Sequence, residues 1–206
     1  HWKHRRQRQM CIRDSISISP NRKSKKKVDL FKLVKEFKSR EINTPLIIRF
    51  NDILKDRITE LNNAFCQAIE TYNYKNIYQG VFPIKCNQQK NVLEKIIEYG
   101  DPWNFGLEVG SKSELLIGLS ILENQKSLLI CNGYKDKKYI ESAILARKLG
   151  KQPIIVIEQR DEVKRIIEAV KNLKATPILG IRSKLSSKSS GTVSYTHLTL
   201  PTMLPV

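Results

Sequence analysis

Lys85 is the residue of this chain best placed for covalent chemistry. It ends the apolar run 77–84 and is followed at once by the polar cluster Cys86-Asn87-Gln88-Gln89. A run of that length containing Val, Phe, Tyr and Ile reads as a strand. The polar cluster, with Val92, Leu93, Ile96 and Ile97 after it, reads as a helix start. Lys85 therefore stands where a strand ends and a helix begins, the edge at which α/β folds bind ligands. Apolar residues behind a lysine desolvate it, lower its pKa and favour the neutral, nucleophilic amine. Such an amine forms an imine with an aldehyde. The same position equally suits an ordinary surface lysine.

Four more polar residues fall at strand ends later in the chain: Glu108, Asn132, Glu158 and Arg182. In a parallel fold those ends share one face, so these residues are expected near Lys85 around a polar ligand. Other chemistries find less support. The three histidines, His1, His4 and His197, lie near the two ends, leaving none between residues 28 and 191 for acid–base work. Cys11, Cys66, Cys86 and Cys131 lack metal-ligand spacing. With no signal peptide in view, they are expected to be free, mostly buried thiols of a cytoplasmic protein, with Cys86 packed beside Lys85. Neither G-x-G-x-x-G nor a P-loop is present, and no apolar run is long enough for a membrane span.

The elements that must position these residues follow from periodicity. Leu30, Phe31, Leu33, Val34 and Phe37 recur at helical spacing after Asp29, a capping residue. A short strand is expected over 46–50. Asn51 and Asp52 open an apolar stripe of about five turns, from Ile53 to Ile69. Strands are then expected over 77–84, 104–109, 127–131, 153–157 and 178–182. Helices between them are expected over 88–99, 111–122, 136–149 and 161–173, with Gly100 and Gly150 as terminators. Ser111 followed by Glu114 fits a capping box. Short strands that are apolar on both faces, alternating with helices, describe a parallel sheet covered by helices. A partial (β/α)8 barrel and a doubly wound sheet both fit that pattern.

The chain has 206 residues and a formal net charge of +17, which by itself suggests nucleic acid as a partner. Residues 1–27, however, hold ten Lys/Arg and one acid, so +9 of the +17 resides there. The remaining charge lies on helical faces without the interleaved aromatics that stack bases. Residues 1–15 have no hydrophobic period, and part of that stretch resembles translated sequencing-adapter DNA; so does the run beginning near Val193. The expected organisation is a non-native segment 1–15, a lead-in with helix and strand over 16–50, a ligand-binding region over 51–191, and a non-native tail 192–206.

Three words carry a resemblance: V-F-P-I-K-C-N-Q-Q at 81–89, F-G-L-E-V-G-S-K-S-E-L at 105–115 and I-C-N-G-Y-K-D at 130–136. Together they resemble the biosynthetic arginine decarboxylases, fold-type III pyridoxal-phosphate enzymes related to ornithine and diaminopimelate decarboxylases and to alanine racemase. The resemblance selects the barrel, a TIM barrel of the alanine racemase-like type truncated after about five strands. It implies that Lys85 carries pyridoxal 5'-phosphate as a Schiff base. It implies that Glu108 borders the cofactor and that Arg182 lies beneath its ring. The implied reaction converts L-arginine to agmatine and CO2, in polyamine biosynthesis, within a cytoplasmic homo-oligomer. It also allows a Mg2+ ion, and involves neither nucleic acid nor membrane. The family's ring-stacking histidine, phosphate-binding glycine loop, acid at the ring nitrogen and partner-subunit cysteine match nothing between 28 and 191. Lys112 and Lys135 lie inside the shared words but acquire no role from them. Alternatives are a decarboxylase of ornithine, lysine or diaminopimelate, a non-catalytic pyridoxal-phosphate-binding barrel, and a basic nucleic-acid-binding module.

Overall fold

The computed structural model describes residues 16–19 and 27–183. The expectations for 1–15 and 192–206, which include Cys11 and all three histidines, lie outside the described residues. Packing groups the chain into two units, His1–Glu60 and Leu61–Val206.

In the first unit, Asp29 does what its side chain suits. Its Oδ1 accepts hydrogen bonds from the Phe31 and Lys32 amides at 2.9 and 3.1 Å and so caps α1 (Leu30–Ser39). Just before it, β1 (Ser17–Ile18) pairs antiparallel with β2 (Val28–Asp29), a pairing that the sequence does not announce. Two-residue strands are too short for a period of two to be visible. The strand expected over 46–50 does not form. Residues 46–50 have no ladder partner among the described residues, and Ile47 is 79% exposed. A β-rich sequence without a neighbour to pair has nothing to fix it as a strand. The expected long helix is α2 (Asn51–Thr71), which runs on into the second unit.

The second unit alternates strand and helix: β3 (Val81–Pro83), α3 (Lys90–Gly100), β4 (Gly106–Val109), α4 (Lys112–Ile121), β5 (Leu128–Cys131), α5 (Lys137–Lys148), β6 (Gln152–Ile157), α6 (Arg160–Leu173) and β7 (Ile178–Ile181). The five strands form one parallel sheet in the order β3-β4-β5-β6-β7. Each new strand adds to the same side of the last. A doubly wound sheet reverses direction at its switch point, and this one does not. Right-handed crossovers then place all the helices on one face. That is an arc of a barrel, not closed by the strands described.

The core lies on the helix-facing side of the sheet. Leu107, Val109, Leu129, Cys131 and Ile155 from the sheet meet Leu93, Leu115, Leu122, Ile140, Ile144 and Ile166, all buried. Each fully buried Leu or Ile contributes about 1.5–3 kcal/mol. β3 is shorter than the apolar run suggests. It ends at Pro83, tolerated because β3 has one ladder partner among the described residues, and Ile84–Cys86 wind into a 3₁₀ turn. Gly100 terminates α3 for a reason other than the expected one. Its φ is −89°, ordinary helical backbone, and the left-handed residue is Asn104 at φ 51°. What requires glycine at 100 is space, because a Cβ there would lie 2.3 Å from that of Phe105. Gly150, at φ +80°, is the left-handed terminator expected.

β4 and β5 approach too closely for a side chain at 106. A Cβ on Gly106 would stand 2.0 Å from the Leu128 carbonyl oxygen, a backbone atom that cannot rotate away. In a full-length protein carrying this segment, Gly106→Ala should destabilise by about 1–3 kcal/mol. A lowered denaturant midpoint checks this; an unchanged midpoint would show that the two strands can part.

The thiols divide differently from the expectation. Among the described residues, Cys66 and Cys86 are exposed and only Cys131 is buried. Cys86 lies on the 3₁₀ turn, off the sheet, which is why it does not pack. Burial pushes the Cys131 thiol up to about 12, against smaller opposing effects of the Tyr139 hydroxyl and the Lys135 charge. Native protein near pH 8 should therefore give a thiol-reagent adduct at Cys66 and Cys86, and at Cys131 only after unfolding, as read by peptide mapping. The unfolded thiol ionises first, so Cys131's contribution to stability is full below the ordinary thiol pKa. It is lost as pH rises from there toward about 12. Native labelling of Cys131 would contradict the packing of β5.

Candidate functional site at the strand ends

The C-terminal edge of the sheet gathers the residues that strand counting placed there. In register, Pro83 faces Glu108 across β3 and β4, and Glu108 faces Ile130 across β4 and β5. The ladder continues one step beyond the strands. The Asn132 amide donates to Val109 O at 2.8 Å and the Arg182 amide to Ile157 O at 3.1 Å. Backbone hydrogen bonding thus sets both residues before their side chains are considered.

The side chains then join along the edge. Lys85 Nζ lies 3.9 Å from Glu108 Oε1. Asn132 Nδ2 donates to the same oxygen at 3.1 Å. The neighbouring Gly133 amide donates to Glu158 Oε1 at 2.6 Å, and Arg182 Nη1 donates to Glu158 Oε2 at 3.0 Å. All five predicted residues belong to this row. Glu108 is 8% exposed, and a carboxylate so far from water requires compensation. Each of the two carboxylates has a cation, Lys85 for Glu108 and Arg182 for Glu158. Asn132 Oδ1 is buried without a partner, an acceptor left open beside Glu108.

One expectation fails here. The Lys85 side chain is 66% exposed, so the described residues do not desolvate its amine. The 3₁₀ turn carries Lys85 off the end of the sheet and away from the apolar side chains behind it.

The loops behind the row were not foreseen. Gly133 has φ +75°, and a Cβ there would come within 2.4 Å of Gly110 O, so the exits of β4 and β5 touch through two glycines. The Asn132-Gly133 dipeptide is the signal for that turn. Ser111 Oγ accepts the Glu114 amide at 3.2 Å, as the capping expectation had it. Glu114 Oε2 reaches one residue further back and accepts the Gly110 amide at 2.7 Å. Lys112 pairs with Asp136 at 3.8 Å, linking the starts of α4 and α5. The Tyr139 hydroxyl donates to Val109 O at 3.0 Å, and burial raises its pKa well above the ordinary phenol value. Lys135 is wholly buried, which no local pattern announces. Among the described residues, no helix is long and apolar enough to cross a membrane.

Comparison with known proteins places this geometry. The sequence profile described as "Pyridoxal-dependent decarboxylase, pyridoxal binding domain" matches residues 56–197. A biosynthetic arginine decarboxylase of Prochlorococcus marinus (strain CCMP1986 / NIES-2087 / MED4) is 92% identical over 177 residues, which cover 86% of this chain and 27% of that protein. The chain thus spans about a quarter of the length of the curated relatives it matches. The crystal structure of the biosynthetic arginine decarboxylase from Campylobacter jejuni superposes with a TM-score of 0.68 at 28% identity, over 74% of this chain and 25% of that one. The diaminopimelate decarboxylase of M. jannaschi shares the fold, with a TM-score of 0.53 at 21% identity over 74% of this chain and 32% of that one. The parallel arc, the lysine on the exit of its first strand and the profile match agree: the chain belongs to the pyridoxal-dependent decarboxylases, within their pyridoxal-binding domain.

Proposed function

We propose that this chain is part of a decarboxylase that converts L-arginine to agmatine and CO2, with Lys85 as the residue that holds pyridoxal phosphate. The observation that carries the reading is the placement of Lys85 Nζ beside Glu108 on the ligand-binding edge of a parallel arc. The residues present fit an aldehyde cofactor. A primary amine stands exposed at the edge, two carboxylates and a guanidinium lie along it, and Asn132 Oδ1 offers an unsatisfied acceptor. When bound, pyridoxal phosphate supplies an electron sink for the pair left behind as CO2 departs.

The chain's own residues have separate tasks in this reading. Lys85 attaches the cofactor through Nζ, and its long stem gives the reach to do so. Glu108 Oε1, 3.9 Å away, orients that amine by charge. Arg182 would border the cofactor as a fixed positive charge. Asn132 holds Glu108 in place through Nδ2. Arginine as the substrate rests on the names of the relatives. A cytoplasmic homo-oligomer remains part of the proposal, supported by the resemblance alone. The organisation into 51–191 as binding region with non-native ends is likewise proposed. A Mg2+ ion is supported by the resemblance alone; among the described residues no group of three or more His, Cys, Asp or Glu is placed to hold a metal ion.

Borohydride reduction of a full-length holoenzyme carrying this segment, followed by peptide mapping, should place the pyridoxyl group on the peptide containing Pro83-Ile84-Lys85-Cys86. Lys85→Ala should abolish CO2 release from arginine and keep the unfolding midpoint, since the side chain is mostly exposed. A label at Lys90 or Lys112, or full activity in Lys85→Ala, would overturn the assignment. Release of CO2 from ornithine, lysine or diaminopimelate in preference to arginine would correct the substrate. A labelled Lys85 without any such release would favour a non-catalytic binding barrel.

A further inference from the structure

Two charges lie in the protein with no water around them and no direct part in the row of strand-end residues. Lys135 and Glu162 are both wholly buried. Lys135 Nζ stands 3.5 Å from each carboxylate oxygen of Glu162 and also donates to Gly133 O at 2.5 Å. Glu162 in turn accepts backbone amides, Lys135 N–H on Oε1 at 3.0 Å and Glu158 N–H on Oε2 at 2.9 Å. Arg165 Nη1 closes the group by donating to Lys135 O at 2.9 Å. Every backbone partner belongs to the exit loop of β5 or β6.

Stability alone does not explain such a pair. Taking two charges out of water costs about as much as their attraction returns, and apolar residues of the same volume often serve as well. An apolar pair could not, however, bind three specific backbone groups, Gly133 O, Lys135 N–H and Glu158 N–H. Two of them bear on Glu158. Its amide is held by Glu162, and its carboxylate is held by the Gly133 amide. Gly133 is itself held through its carbonyl by Lys135. The main chain and the side chain of Glu158 are thus both located by one buried pair, and Arg182 follows at 3.0 Å.

We propose that Lys135 and Glu162 are positioning residues. They lock the exits of β5 and β6 together so that Glu158 presents the Arg182 guanidinium at the edge where the cofactor is held. The inference rests on the reading of Arg182 as a group that borders pyridoxal phosphate.

The test uses a full-length enzyme carrying this segment. The double variant Lys135→Met/Glu162→Gln removes both charges at nearly constant volume. Glutamine has one oxygen and can serve only one of the two amides. Pyridoxal phosphate is titrated into each protein, its affinity and the absorption spectrum of the bound form are recorded, and thermal unfolding is followed. The double variant should unfold cooperatively, bind the cofactor about tenfold more weakly and show a shifted spectrum. Unchanged affinity and spectrum in the folded variant would overturn the proposal. If the double variant does not fold, Glu162→Gln alone decides by the same criteria. Leu93→Ala, a core change on α3 away from these loops, controls for stability; an equal loss of affinity there would also overturn it. Arg182→Met separates the layers. Unchanged affinity in Arg182→Met refutes the placement of Arg182 itself. Weakened affinity there, with unchanged affinity in the double variant, refutes only the positioning role.

Discussion

Parallel hydrogen bonding between neighbouring strands governs everything at this edge. The ladder fixes Pro83 opposite Glu108 and Val109 opposite Cys131. It then runs past the strand ends through the Asn132 and Arg182 amides. A side chain one residue further along a strand would point to the other face. The five polar residues meet because the register is correct at four successive pairings. That register depends in turn on close approach. Gly106 lies against the Leu128 carbonyl and Gly133 against the Gly110 carbonyl, contacts that any Cβ would prevent.

The edge also shows how charge is kept at a boundary between core and solvent. Glu108 and Glu158 are largely withdrawn from water, and each is matched by a cation and a polar donor. Deeper in, Lys135 and Glu162 solve the same problem without solvent, by taking backbone groups as additional partners. The outer row leaves Asn132 Oδ1 without a partner, whereas both members of the inner pair bind each other and the backbone. Gly133 connects the two layers, since its amide serves the outer one and its carbonyl the inner one.

How much of this the sequence revealed depended on whether the cause was local. Strands with continuous apolar residues and helices with caps and periods stood where expected, so Lys85, Glu108, Asn132, Glu158 and Arg182 could be assigned to one edge by counting. Asp29 acted through its side chain on the helix start beside it and Gly150 through its own backbone, and both were legible. The pairing of Lys135 with Glu162 was not, because the two are far apart in sequence, and Glu162's place as the third residue of the α6 capping box announces a bond to its own helix start rather than to another loop. The short hairpin of β1 and β2 carried no period to read. Leu46–Phe50 carried strand-like residues but found no partner. The 3₁₀ turn at Ile84–Cys86 broke an apolar run whose composition alone would have extended β3 to Lys85.

That turn has a consequence for the two cations of the edge, which are held in opposite ways. Arg182 is hydrogen-bonded to Glu158 at 3.0 Å, and its carboxylate partner is fixed from behind. Lys85 meets Glu108 only at 3.9 Å, beyond hydrogen-bond reach, with most of its side chain in solvent. An exposed ion pair of that kind is worth about 0–1 kcal/mol, so little resists a change of partner. In the proposed reading Lys85 forms and releases a covalent link and must move, while Arg182 stabilises charge from a fixed position and must not. Had β3 continued through Lys85, the ladder would have fixed its backbone as it fixes that of Arg182. By ending the strand at Pro83, the sequence leaves Lys85 outside the ladder, beside a carboxylate that is already in place.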